Sequence, residues 1–99
     1  MELNKKIRLL QVRQSQGHDG GETVVNSSVI WAEVLPPSST LKFKAEAAGR
    51  VVDLVIYVWR HEFIKAEYNR CECQGKQYRI EADSAAMNDE YVKLLAVRG

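Results

Sequence analysis

Two cysteines one residue apart, Cys71-Glu72-Cys73, are the first place in this sequence where side chains suited to chemistry sit close together. Two thiolates are half of a structural zinc site, which needs four ligands and usually two to four residues between paired cysteines. Here the spacing is one residue and no second pair exists. A disulfide does not suit them either, because residues i and i+2 of a strand share a face but lie too far apart for easy bridging. Reduced thiols facing a core, behaving as small apolar residues, are the expectation. Histidines are scarce, only His18 and His61, so an arrangement of nucleophile, base and orienting group is thinly supplied. His18 lies in a turn beside Asp19 and reads as a solvated loop residue. Arg60-His61-Glu62 reads as a charged cluster capping a strand. Glycine-rich phosphate loops and the Gly-x-Ser-x-Gly elbow are absent. The sequence therefore assigns no catalytic residue, no metal ligand and no cofactor, and the chain is not expected to be an enzyme.

Trp31, Tyr57 and Trp59 are the aromatics that a binding function would use. On a sheet face such rings could stack nucleic-acid bases, form a protein interface, or pack in a core, which is their commonest use. Fourteen basic against thirteen acidic side chains leave a net charge of +1. A phosphate-binding protein usually carries a clear basic excess, so base stacking ranks last and core packing first. Two groups of cations, Lys5, Lys6, Arg8 and Arg13, then Lys42, Lys44 and Arg50, read by default as solvated faces.

The elements that position these residues are mostly strands. At 99 residues the chain suits one domain, residues 1–99, with a modest core. The start has no apolar run after its basic pair, so no signal peptide is expected. Nothing approaches the ~20 apolar residues of a membrane span, and a cytosolic setting is expected. Lys5 to Gln14 mixes apolar and basic residues with partial alternation, and a turn follows over Ser15 to Gly21 with its Asp19-Gly20-Gly21. Glu22 to Leu35 is rich in Val, Thr, Ile and Trp. Ile30, Ala32 and Val34 share one face, and Val29, Trp31, Glu33 and Leu35 the other. Asn26-Ser27-Ser28 marks a bulge or bend, and Pro36-Pro37-Ser38-Ser39 ends the strand. Thr40 to Gly49 is ambiguous and reads as an excursion, one helical turn or a flexible loop, with Gly49 able to cap a short helix. In the strand Arg50 to Arg60, Val52, Leu54, Ile56 and Val58 form one apolar face, and Asp53, Val55, Tyr57 and Trp59 the other. Such a strand is buried on both sides or half-buried under a partner. Tyr68 to Cys73 and Gln77 to Asp83 form a hairpin around Gln74-Gly75-Lys76, with Tyr78, Ile80 and Ala82 facing the core. Ser84 to Asp89 is a polar connection, and Glu90 to Arg98 is the last strand. Short strands punctuated by turns predict a mainly β fold, a small antiparallel β-barrel that hides its sheet edges.

The order of these segments resembles the head-tail joining (head closure) proteins of tailed bacteriophages. The resemblance rests on Ile7-Arg8-Leu9-Leu10-Gln11-Val12-Arg13, the turn Asp19-Gly20-Gly21-Glu22, the signature Ile30-Trp31-Ala32-Glu33-Val34-Leu35-Pro36, the apolar strand Val52 to Arg60, the hairpin Gly75-Lys76-Gln77-Tyr78-Arg79-Ile80 and the last strand Tyr91 to Val97. The chain departs from the family's Pro-Leu-Ser-Gly after the tryptophan strand, having Pro36-Pro37-Ser38-Ser39, and from its Pro- and Gly-rich approach to the hairpin at Glu62 to Lys65. The resemblance implies a virion protein at the head-tail junction, present in the host cytoplasm during assembly. It would form a dodecameric ring below the portal and adaptor, retain packaged DNA and offer the surface on which the tail docks. Leu35 to Gly49 would then meet neighbours or line the channel, with Leu35, Ser38, Ser39, Leu41, Lys42, Phe43 and Lys44 as the contact residues. Lys42 and Lys44, repeated around a ring, would form a belt near DNA phosphates. The free protein is expected to be a monomer that self-associates weakly through its Tyr57 and Trp59 face. A tail-completion protein on the same plan and a small nucleic-acid-binding barrel are the alternatives.

Overall fold

A computed structural model of the chain describes residues 2–14, 21–83 and 88–98. His18 and most of both connecting turns, residues 15–20 and 84–87, lie outside the described residues. In chain order the elements are β1 (Lys5–Gln14), β2 (Glu22–Leu35), α1 (Ser39–Ala47), β3 (Val51–Trp59), α2 (Arg60–Phe63), β4 (Arg70–Cys73), β5 (Lys76–Ala82) and β6 (Tyr91–Arg98). The strands pair antiparallel in the order β1-β2-β3-β6-β5-β4, and β4 returns to β1, so the sheet closes as a barrel.

Alternation decides the inside. Ile7 and Leu9 of β1, Ile30 and Ala32 of β2, Ile56 and Val58 of β3, Cys71 and Cys73 of β4, and Val92, Leu94 and Ala96 of β6 form the buried interior. Tyr78 and Ile80 of β5 pack against it, whereas Ala82, expected to face the core, is exposed near the strand end. β1 and β2 form a long ribbon, paired from Lys5 with Ala32 to Gln14 with Glu22. Its register skips from Gln11 opposite Asn26 to Val12 opposite Val24, which leaves Val25 as the bulged residue, one place before the expected Asn26-Ser27-Ser28. The buried Gln11 side chain is satisfied there, its Oε1 accepting from Asn26 Nδ2 at 2.7 Å.

A second bulge re-aims β3. Pairing with β6 runs Val52 to Val97, then Leu54 to Ala96, so Asp53 is the extra residue. A one-residue shift moves a side chain to the other face of a strand. Val52, expected inside with Leu54, Ile56 and Val58, therefore points outward and packs with Val55, Leu95, Val97 and Ala45. This second cluster is roofed by α1, which lays Leu41 and Ala45 on the outer wall of β3 and β6. β3 is thus buried on both faces.

Thr40 to Gly49 is accordingly neither a loop nor a single turn; the helix takes up nine residues. Pro36-Pro37 ends β2, and the Ser38 hydroxyl caps α1 by accepting from the Leu41 N–H at 3.1 Å. At the other end the Arg50 N–H donates to the Ala45 carbonyl at 2.8 Å and the Gly49 N–H to the Glu46 carbonyl at 3.0 Å. These are the paired bonds of a Schellman cap, whose left-handed residue is Gly49 at φ 77°. Arg60, read from sequence as a strand end, opens the one-turn helix α2 instead. Its N–H still donates to the Glu90 carbonyl at 2.8 Å before Ile64 N–H bonds back to the Arg60 carbonyl at 3.0 Å. Between β4 and β5, Cys73 pairs with Lys76, leaving a two-residue loop with Gln74 at φ 53° and Gly75 at φ 78°.

Candidate interaction surface

Interior positions on β2, β3 and β6 dictate what their neighbours do. Because Ile30, Ala32, Val58 and Val92 point inward, Trp31, Trp59 and Tyr91 must point outward. The register pairs Lys6 with Trp31 and Trp59 with Tyr91. The pairing of Ala32 with Val58 brings Trp31 and Trp59 side by side at the next step. The result is a row across four neighbouring strands: Lys6, Trp31, Trp59, Tyr91. Trp59 and Tyr91 stack, with ring centroids 4.7 Å apart and planes inclined by 22°. Lys6 Nζ sits 5.0 Å from the Trp31 ring centroid, a cation–π contact. Trp31 remains 51% exposed, so the core-packing expectation is corrected for this residue. It faces outward beside Trp59, the last residue of β3, with the Lys6 ammonium over its ring.

The groove between the two tryptophans is lined by Leu3, Asn4, Trp31 and Trp59. A second depression, sharing only Trp59 with the first, is lined by His61, Asp89 and Glu90 as well. His61 is exposed, its ring 6.3 Å from that of Trp59 and its Nε2 3.4 Å from Glu62. Asp89 is fully exposed, 3.8 Å from Arg60.

The contact residues expected from sequence fall along this same outer wall, but they do not all do the same thing. Ser38 is occupied in capping α1, and Leu41 turns toward the sheet. Tyr57 is half-buried and packs against the cluster beneath α1, so for Tyr57 packing is right. Ser39, Lys42 and Lys44 are exposed on α1, Leu35 is 40% exposed at the end of β2, and Phe43, at 75%, is the most exposed of the large apolar side chains described. Trp59 joins the aromatic row. Sequence reasoning did not single out Tyr91 or Leu3; the Tyr91 signal was alternation against Val92, but its stacking on Trp59 needed the register.

Elsewhere the chemistry is muted. Cys71 and Cys73 are free, buried among apolar neighbours as expected. Burial pushes the Cys71 thiol up to about 12, with the adjacent Cys73 adding to it. Burial also raises Cys73, opposed by the positive charge of Lys5. Neither thiol is primed as a nucleophile. A depression of about 660 Å³ at one barrel mouth is lined by Arg70, Lys76, Arg79 and Arg98, yet two of its guanidinium groups are already claimed. Arg98 makes bonds of 3.0 and 2.7 Å to the Asp53 carboxylate, and Arg70 makes two of 2.6 Å to Glu22. Across the barrel wall Arg50 pairs with Glu81. Among the described residues no group of three or more metal-ligating side chains exists, and no helix is long and apolar enough to cross a membrane.

No curated protein matches this chain. The family model described as phage head completion protein does, over residues 1–99. That span includes every strand of the closed barrel and the whole aromatic wall, and it makes the chain a member of the phage head completion protein family, a structural component of the virion head that works against other head and tail proteins.

Proposed function

We propose that this protein assembles as a ring below the portal and adaptor of the filled head, retains the packaged DNA and provides the surface on which the tail docks. The observation that carries the reading is the exposed aromatic wall. Trp31 at 51% and Phe43 at 75% exposure are held out from a barrel that already has its own core, and apolar surface held in water on a stable scaffold marks an interaction site. Affinity in a ring comes from many weak contacts acting together, which suits a chain whose net charge is only +1. The role is one of binding and closure, with no catalytic step.

DNA retention on this reading comes from repetition. Lys42 and Lys44 are exposed on α1, and a ring would bring many copies near the phosphates. In those heads that do incorporate the K42E/K44E variant, DNA should escape, and unchanged retention per incorporated copy would remove the lysines from the account. The primary test is electron microscopy of lysates from a phage or prophage lacking this gene. Filled or leaking heads beside free, complete tails are the expected outcome; normal virions would overturn the assignment.

A further inference from the structure

The barrel carries an unmatched knob with basic flanks and an unmatched aromatic groove that has Lys6 at its Trp31 side and acidic residues beyond its Trp59 side. The knob is Phe43, on the side of α1 opposite Leu41 and Ala45, the residues that anchor that helix to the wall. It is flanked by the exposed cations Lys42 and Lys44. The groove is the one lined by Leu3, Asn4, Trp31 and Trp59, and Asp89 and Glu90 line the neighbouring depression that shares Trp59 with it. Asp89 has only the long 3.8 Å contact to Arg60 to hold it. Phe43 does not fill the groove of its own chain, because it remains 75% exposed.

We infer that the occupant of the groove is a second copy of this chain: Phe43 of one protomer seats between Trp31 and Trp59 of the next, with Lys42 and Lys44 facing Asp89 and Glu90. An aromatic ring inserted between two indoles meets them in tilted or offset geometry, the favoured arrangement. The acidic depression and basic flanks match in sign, which steers and registers the contact. Because knob and groove are different patches, the contact is heterologous, and such contacts propagate head to tail and close as rings when the rotation permits. This deepens the ring-assembly reading above and rests on it.

The test is a covalent ladder made inside heads. Glu90 lines the acidic depression that Lys42 would face, and neither is the anchor itself, so K42C and E90C probe the contact while leaving Phe43, Lys44 and Asp89 in place. The native thiols, buried in the barrel, do not compete. Filled heads carrying the double variant K42C/E90C should yield, on mild oxidation, a ladder of disulfide-linked multimers, while each single variant stays monomeric. Separately, F43A should lower incorporation into heads by roughly tenfold or more, as expected for an aromatic anchor at the centre of an interface, and D89K/E90K should restore the incorporation lost by K42E/K44E. Protein present in filled heads with no ladder, or cross-links from position 90 only to a different head or tail protein, overturns this contact while leaving the head-completion role standing. Absence of the protein from heads overturns the role itself.

Discussion

Asn69 is bonded to Val12 as though it were a strand. Its Oδ1 accepts from the Val12 N–H at 2.9 Å and its Nδ2 donates to the Val12 carbonyl at 2.9 Å. Its own N–H donates to the Leu10 carbonyl at 3.0 Å and its carbonyl accepts from the Ile80 N–H at 3.1 Å. β4 pairs with β1 only over Arg8, Leu9 and Leu10, so this one carboxamide extends the seam that closes the barrel past the end of β4, just where the β1–β2 ribbon bulges.

Asn69 should therefore matter more than a surface loop residue usually does. Asn69→Ala removes two side-chain bonds and is expected to lower unfolding stability by about 1–2 kcal/mol. Asn69→Asp should be at least as damaging, because the carboxylate loses the donor and confronts the Val12 carbonyl oxygen. Urea unfolding with an unchanged slope and a lower midpoint is the expected signature; a midpoint equal to wild type for Asn69→Ala would show the seam to be closed without it.

The two-residue loop between Cys73 and Lys76 requires positive φ at both positions. Gly75 adopts it freely, but Gln74 at φ 53° does so against the preference of a residue with a Cβ. Gln74→Asn, which creates the Asn-Gly pair most favoured in such turns, should raise stability by about 0.5–1 kcal/mol. Thermal unfolding reads this as a midpoint several degrees higher, and a lower midpoint would mean that the Gln74 side chain makes a contact more valuable than the turn geometry.

Cys71 links stability to alkaline pH. Its thiol ionises at about 12 in the folded barrel against an ordinary value of 9.0, so above pH 9 the unfolded chain binds fewer protons than the folded one. Its contribution is complete below about pH 9 and is lost as pH rises toward 12, at up to about 1.4 kcal/mol per pH unit. Cys73, raised in the same direction, adds to the trend. Denaturant midpoints measured at pH 8, 9 and 10 should fall more steeply for wild type than for Cys71→Ala, even though the alanine variant starts lower from the cavity it leaves. Equal slopes would mean that other groups govern the alkaline limb.

β1 and β2 were legible from sequence because partial alternation in the first and β-favouring Val, Thr, Ile and Trp in the second run up to clear stops, Asp19-Gly20-Gly21 between them and Pro36-Pro37 after, and their bounds fall at Lys5–Gln14 and Glu22–Leu35. The Gln74-Gly75 hairpin and the inward cysteines were legible for the same reason. α1 was half-legible: the Ser38 cap and Gly49 frame it, but its short amphipathic face declares itself only when Leu41 and Ala45 find the outer wall of β3. α2 was not legible, since Arg60-His61-Glu62-Phe63 has no capping side chain and follows the most strand-like run in the chain.

By itself the sequence determined which segments are strands, where they turn and that a small, mainly β fold results, because those properties reside in local alternation and in residues such as Gly75 and Pro36 that restrict the backbone wherever they occur. Tertiary structure alone decided the sides. Whether Val52 faces in or out depends on a bulge at Asp53 that exists only against β6. Whether Trp31 is core or surface depends on the pairing that commits Ile30 and Ala32 to the interior and leaves Trp31 facing out beside Trp59. Both are consequences of inter-strand register, a relation between distant residues that no single segment encodes, and it is this register that gathers Lys6, Trp31, Trp59 and Tyr91 into one wall.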